Sequence, residues 1–165
     1  MSRDSTDVIA AAWDRELPGV VGEELALAKR AGRLAAILGD CAATALAPFG
    51  LTKAEYDILA VLRSSGPPYR LRPSELTARL LLSSGGTSNV LRRLTEAGLV
   101  DREAHQEDAR SAWVRLTSTG VALAEQAVRA ATEAQAAALE RVPVEVRRTA
   151  VDALRNVLLA LGDQA

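Results

Sequence analysis

The chain has 165 residues, enough to bury one core without a disulfide or a structural metal, and its net charge of −1 argues against a protein coated in positive charge. Hydrophobic residues make up 48% but aromatics only 3%, an excess of alanine and leucine that favours helices packed on helices over a sheet core. Cys41 is the only cysteine, so no intrachain disulfide can form; the polar opening Met1 to Asp7 has no apolar signal-peptide core behind it, and no apolar run approaches membrane-span length, which together predict a cytoplasmic protein.

Asp7 to Leu17 reads as a short helix with Val8, Ala12 and Trp13 on one face, stopped by Pro18-Gly19. A long helix follows from about Val20 to Ala47, where Leu27, Ala31, Leu34, Leu38, Ala42 and Ala45 recur at steps of three and four, and Pro48 with Gly50 ends it. Thr52-Lys53-Ala54-Glu55 has the form of a capping box, in which hydroxyl and carboxylate satisfy backbone donors at a helix start. The helix it opens carries Ile58, Leu59 and Leu62 inward and stops at Ser64-Ser65-Gly66-Pro67-Pro68. Tyr69 to Leu71 leaves room for one very short strand, and Pro73 suits the first turn of a helix to about Leu81. Ser83 can cap a further helix from Ser84 to Ala97, with Gly98 where a left-handed cap is wanted. Two helices of about ten residues joined by two or three is helix-turn-helix spacing.

Beyond Gly98, Leu99 to Glu103 and Ala112 to Leu116 alternate as strands of a hairpin whose polar tip runs from Ala104 to Ser111. Thr117 can cap an alanine-rich helix to about Arg141, and Pro143 opens a last helix to about Leu161, with Val151, Leu154, Val157, Leu158 and Leu161 as its apolar stripe. The terminal helices carry more apolar surface than the small central unit can cover, and a second copy of the chain would cover it, with Val151, Leu154, Leu158 and Leu161 as dimerisation residues. The chain divides accordingly into N-terminal helices over 1–50, part of the dimerisation region; a DNA-binding unit over 51–119; and dimerisation helices over 120–165.

A helix that enters the DNA major groove needs small or polar residues leading and one apolar stripe holding it to its domain. Ser84, Gly85, Gly86, Thr87, Ser88 and Asn89 supply the leading end, and Leu91 and Leu94 the anchors, which turns Ser88, Asn89, Arg92 and Arg93 toward DNA. Between Arg70 and Arg115 eight arginines face six acids, so arrangement rather than bulk charge carries this reading. The alternative is a polar helix start followed by solvated charge.

The segment from Leu51 to Thr119 resembles the MarR family of bacterial winged-helix repressors. The resemblance rests on four strings in order: Leu51-Thr-Lys-Ala-Glu-Tyr-Asp-Ile-Leu59, Arg92-Arg-Leu-Thr-Glu-Ala-Gly-Leu-Val100, Asp108-Ala-Arg110 and Leu116-Thr-Ser-Thr-Gly120. It implies a mostly α fold with a small β-wing, a winged helix-turn-helix core and long N- and C-terminal dimerisation helices. The implied function is a homodimeric, ligand-responsive repressor on a pseudo-palindromic operator, with double-stranded DNA and a small-molecule effector as partners. In the wing, Arg110 matches the family arginine that enters the minor groove and Asp108 the carboxylate that braces the loop; His105 is read as a loop or phosphate-contacting residue. The DNA-contacting set is then Ser84, Thr87, Ser88, Asn89, Arg92, Arg93, His105, Asp108 and Arg110.

The short extra helix with Trp13, followed by Pro18-Gly19, and the string Pro67-Pro-Tyr-Arg-Leu-Arg-Pro73 resemble the urate-responsive branch of that family. The resemblance implies a ligand site that uses Trp13, Asp57 and Arg102, with Val90 where the branch has an arginine. An isopropyl group in place of a cation implies weak urate binding and an aromatic or phenolic effector instead. The alternatives are a packing tryptophan, a surface or capping aspartate, and a strand arginine paired with Asp101 or Glu103.

An enzyme is disfavoured. His105 is the only histidine, far in sequence from Cys41, and neither a phosphate-binding glycine loop nor metal-ligand spacing is present, so no cofactor is expected. A redox-sensing repressor built on Cys41 is the alternative function, although Asp40 beside it disfavours the thiolate.

Overall fold

A computed structural model describes residues 3–80, 84–104 and 112–163. The first helix, α1, spans Ser5–Glu16 and starts earlier than its apolar pattern suggests, because the Asp4 carboxylate accepts from the N–H groups of Thr6 and Asp7 while Asp7 accepts from Asp4 N–H. α2 runs over Glu23–Leu46 and tightens into a 3-10 turn, Ala47–Phe49, before Gly50 at φ 66° ends it. α3, Lys53–Ser64, opens on the expected capping box: Thr52 N–H donates to Glu55 Oε2 at 2.8 Å and Glu55 N–H to Thr52 Oγ1 at 3.3 Å. β1 (Arg70–Leu71), α4 (Pro73–Leu80) and α5 (Ser84–Glu96) follow, then β2 (Val100–Ala104) and β3 (Ala112–Leu116). α6, Ser118–Ala138, is capped by Thr117; α7, Val144–Ala160, has Pro143 as its cap residue rather than in its first turn.

The three strands form one antiparallel sheet in the order β1-β3-β2. The register pairs Leu71 with Val114 and Val100 with Leu116 on the face that packs inward; Arg70 pairs with Arg115 and Glu103 with Trp113 on the opposite face. Beneath the inner face lies the main core, in which Ile58, Leu59 and Leu62 of α3 meet Leu76 of α4, Leu91 and Leu94 of α5, the inward strand residues and Ala124 of α6. Burying one such leucine is worth about 1.5–3 kcal/mol, so this cluster fixes the relative positions of α3, α4 and α5. A second cluster of Ala42, Leu46, Ala127 and Ala131 ties α2 to α6, where alanine lets two helix backbones approach.

The end of α5 and the start of α6 share one junction. Gly98, at φ 68°, is the expected left-handed cap. Its carbonyl accepts from Thr117 Oγ1 at 2.8 Å, and Thr117 Oγ1 in turn accepts from Gly120 N–H at 3.0 Å. Gly120 has no room for a side chain, since a Cβ there would stand 2.0 Å from the Leu99 carbonyl oxygen.

The terminal helices differ. No residue of α7 is buried in the single chain; Val151 and Leu158 are exposed, Leu154 is half-buried and Leu161, just past the helix, is 78% exposed. α1 is held to α2 by Arg30, which bonds Asp4 and Asp7, while Val8, Ile9 and Trp13 remain exposed. Among the described residues no single helix is long and apolar enough to cross a membrane.

Candidate nucleic-acid interface

α5 separates into two faces by its helical period. Thr87, Leu91 and Leu94, at i, i+4 and i+7, point into the domain, each no more than 2% exposed. Ser88, Asn89 and Arg92 lie on the exposed side. There the Arg92 guanidinium donates to Asn89 Oδ1 at 2.8 Å and to Glu96 Oε1 at 3.0 Å, so a polar ladder runs along the outer surface. The Arg92–Glu96 pair is more than half exposed on both sides and therefore weak, and a phosphate or a base edge can replace its carboxylate.

Two residues expected on that outer surface are elsewhere. Thr87 is buried, with its hydroxyl 3.3 Å from that of Thr77, and helps hold α5 against α4 because a small β-branched side chain fits between two closely packed helices. Arg93 turns back to α3 and donates to Glu55 Oε1 at 2.6 Å. The side chain of Ser84 lies outside the described residues, although its backbone begins α5. His105, Asp108 and Arg110 also lie outside the described residues.

Glu55 is the hub of this arrangement. Besides Thr52 N–H, its carboxylate accepts from the Thr52 hydroxyl at 2.7 Å, and its other oxygen takes Arg93. Burial pushes its carboxyl upward, but the Thr52 hydroxyl and backbone N–H, together with Arg93, outweigh that and hold it below the ordinary value. The start of α3 and the last turn of α5 are thus joined by a charge whose other bonds are already satisfied.

Of the four residues expected to line a ligand site, Trp13, Asp57 and Val90 do not line the cleft that Arg102 borders. Trp13 is 50% exposed on α1. Asp57 pairs with Lys53 one turn earlier at 2.5 Å, and Val90 packs half-buried against the main core. Arg102 borders a half-open cleft of about 340 Å³ between α5 and β2, lined also by Ser88, Arg92, Thr95 and Glu96, and none of the other three lines it. Arg102 is not bonded to its strand neighbours: Asp101 and Glu103 pair with Arg115, and Glu103 also with Arg70.

Sequence reasoning missed the outer face of the sheet. There the guanidinium groups of Arg70 and Arg72 lie over the Trp113 ring, 4.9 and 5.1 Å from its centroid. The signal was the period-two spacing of Arg70 and Arg72 opposite a strand that carries Trp113 and Arg115 on one side. Cys41 is half-buried within α2, and among the described residues no cluster of histidine, cysteine and carboxylate side chains could hold a metal.

The family model described as "MarR family" matches residues 49–111. The HTH-type transcriptional regulator PecS of Dickeya dadantii is 30% identical over 111 residues, 67% of this chain and 67% of that protein. The HTH-type transcriptional repressor Rv2887 of Mycobacterium tuberculosis is 35% identical over 94 residues, 57% of this chain and 66% of its own length. Its structure in complex with p-aminosalicylic acid covers 79% of this chain and 97% of that one, at 30% identity and a TM-score of 0.65. The MarR family regulator Sco3205 of Streptomyces coelicolor, solved in complex with DNA, covers 87% of this chain and 91% of that one, at 25% identity and a TM-score of 0.73.

Proposed function

The chain belongs to the MarR family of transcriptional regulators, and we propose that it acts as a homodimeric, sequence-specific DNA-binding repressor whose operator affinity is lowered by a small aromatic ligand. The observation that carries the DNA reading is the two-faced α5: an inner stripe of Thr87, Leu91 and Leu94 locks it to the core, and an outer row of Ser88, Asn89 and Arg92 stands clear of it directly before the β2–β3 hairpin. Phosphate contacts come from Arg92 and, in the hairpin tip, from His105 and Arg110, with Asp108 bracing the loop; Asn89 and Ser88 reach base edges. Arg93 and Thr87 act by holding the helix rather than by touching DNA. Sco3205, of the same fold, was solved with DNA.

Two α5 helices must stand about one helical turn of DNA apart to read a two-fold operator. The exposed apolar residues of α7, together with those of α1 and α2, supply a surface for a second copy. Residues 51–119 form the DNA-binding unit and the flanking segments the dimer.

The ligand reading rests on Arg102, whose cation faces the Ser88–Arg92 cleft without an ion pair among the described residues. An aromatic carboxylate or phenolate suits it, and the related Rv2887 was solved with p-aminosalicylic acid. Trp13, Asp57 and Val90 do not line that cleft, so only the resemblance to the urate-responsive branch supports a part for them in ligand binding. Cys41, flanked by Asp40 in mid-helix, gives the redox alternative less support.

The test is binding to the DNA upstream of the protein's own gene. Asn89→Ala is expected to cost about 1–3 kcal/mol per half-site and to relax sequence preference there, measured by fluorescence anisotropy against single-base operator variants. Unaltered affinity and preference in Asn89→Ala, or no binding by the unmodified protein, refutes the assignment.

A further inference from the structure

We propose that Arg70 and Arg72, held on Trp113, form a phosphate-binding platform at the root of the wing that grips the DNA backbone outside the groove entered by the hairpin tip. This rests on the DNA-binding reading and adds to it a contact made by the face of the sheet turned away from the core.

Three observations carry it. First, the two guanidinium groups share one aromatic ring, at 4.9 and 5.1 Å from its centroid, so the ring quadrupole positions both cations at this face. A guanidinium stacked by its flat face keeps its N–H donors at its edge, the geometry that matches phosphate oxygens.

Second, these cations are poorly matched by acids. Glu103 lies at 2.5 Å from Arg115 and only 3.4 Å from Arg70. The nearby Glu75 is spent on the backbone N–H of Arg72, at 2.7 Å, and no ion pair holds the Arg72 side chain among the described residues. Three arginines (70, 72 and 115) therefore face two carboxylates (Asp101 and Glu103) on this sheet face, which leaves an excess of positive charge for an anion to meet.

Third, the position suits a polyanion that is already being held. Arg72 immediately precedes α4, the first helix of the helix-turn-helix, and Trp113 lies on the hairpin strand that returns from the tip. A duplex held by α5 would offer a dense row of phosphate charge to cations beside the helix-turn-helix.

The experiment compares two fluorescent duplexes that carry the same upstream site, one trimmed to the edge of the hydroxyl-radical footprint left by the Arg72→Ala protein and one extended by about five base pairs, half a helical turn, on each side. On the extended duplex Arg72→Ala is expected to lower the salt slope by about one per protomer, so that raising salt from about 50 to 200 mM costs the unmodified protein about threefold more per protomer than the variant. On the trimmed duplex the two proteins should match. Trp113→Ala should reproduce the loss, whereas Arg72→Lys, which keeps the charge, should retain most of the slope. Arg72 is exposed, so its variant folds normally, which thermal unfolding checks. Identical behaviour of Arg72→Ala and the unmodified protein on the extended duplex, while Asn89→Ala still weakens both duplexes, overturns the platform and leaves the DNA reading standing. Failure of the unmodified protein to bind either duplex overturns both.

Discussion

The centre of the molecule and its ends are built from similar residues and treat them in opposite ways. Leu76, Leu91 and Leu94 are buried almost completely between α3, α4 and α5, whereas Leu158, Leu159 and Leu161 at the other end of the chain stand open to solvent. The centre is satisfied by its own contacts; the ends carry the same apolar surface with nothing in the single chain to cover it. If a second copy covers the ends, as proposed above, stability and assembly reside in different segments and can be perturbed separately.

The largest expected effect breaks the comparison at its weak side. Removing Pro143 to Ala165 should leave a folded, helical protein by circular dichroism but a monomer by light scattering, with operator binding abolished. A stable, DNA-competent dimer without that helix would refute the division. A smaller change sharpens it: Leu94→Ala should lower stability by about 2–5 kcal/mol at every protein concentration, while Leu158→Ala should make the thermal midpoint more dependent on concentration. Thermal unfolding over a dilution series distinguishes the two, and equal behaviour of the variants would remove the distinction.

The smallest effect concerns the link between α3 and α5. Because the Glu55 carboxyl is held below its ordinary value, its contribution is present above the unfolded-state value of about 4.3 and is lost as pH falls through the lower folded-state value. Glu55→Gln should therefore cost about 1 kcal/mol at neutral pH, allowing for the half-exposed Arg93, and the gap to the unmodified protein should close in acid. A gap that stays constant down to strongly acid pH would mean that the charge on Glu55 does not hold α5.

Much of the fold was legible because local signals agreed with the packing they led to. The capping box at Thr52, the left-handed Gly98 and the cap at Thr117 each stand where their chemistry is used. The string Leu116-Thr-Ser-Thr-Gly120 resembled a family signature; its physical content is Thr117 bonded to Gly98 and Gly120 pressed on the Leu99 carbonyl, which no local rule reveals. The site was less legible for a related reason. Thr87 and Arg93 are polar and sit in a polar run, and only the tertiary arrangement of Thr77 and Glu55 decides that the first is buried and the second is paired to α3. Asp57 went to its nearest lysine, and the cleft beside Arg102 exists because the chain folds back at Gly98 and lays β2 beside α5. The Trp113 platform needs β1 and β3 side by side, a pairing of residues more than forty apart in sequence.

The junction at Thr117 ties the loop that ends α5 to the start of α6 through one hydroxyl. α6 has 21 residues, and at about 1.5 Å per residue it is roughly 31 Å long. A rod of that length swung by about 5° carries its tip through roughly 3 Å, close to the rise of one base pair in duplex DNA. Gly120 packs directly on the Leu99 carbonyl at one end of this lever, and Ala127 and Ala131 pack on α2 further along it. On the DNA-binding reading proposed above, a duplex that seats α5 would also bear on the near end of α6, a lever whose further contacts include α2.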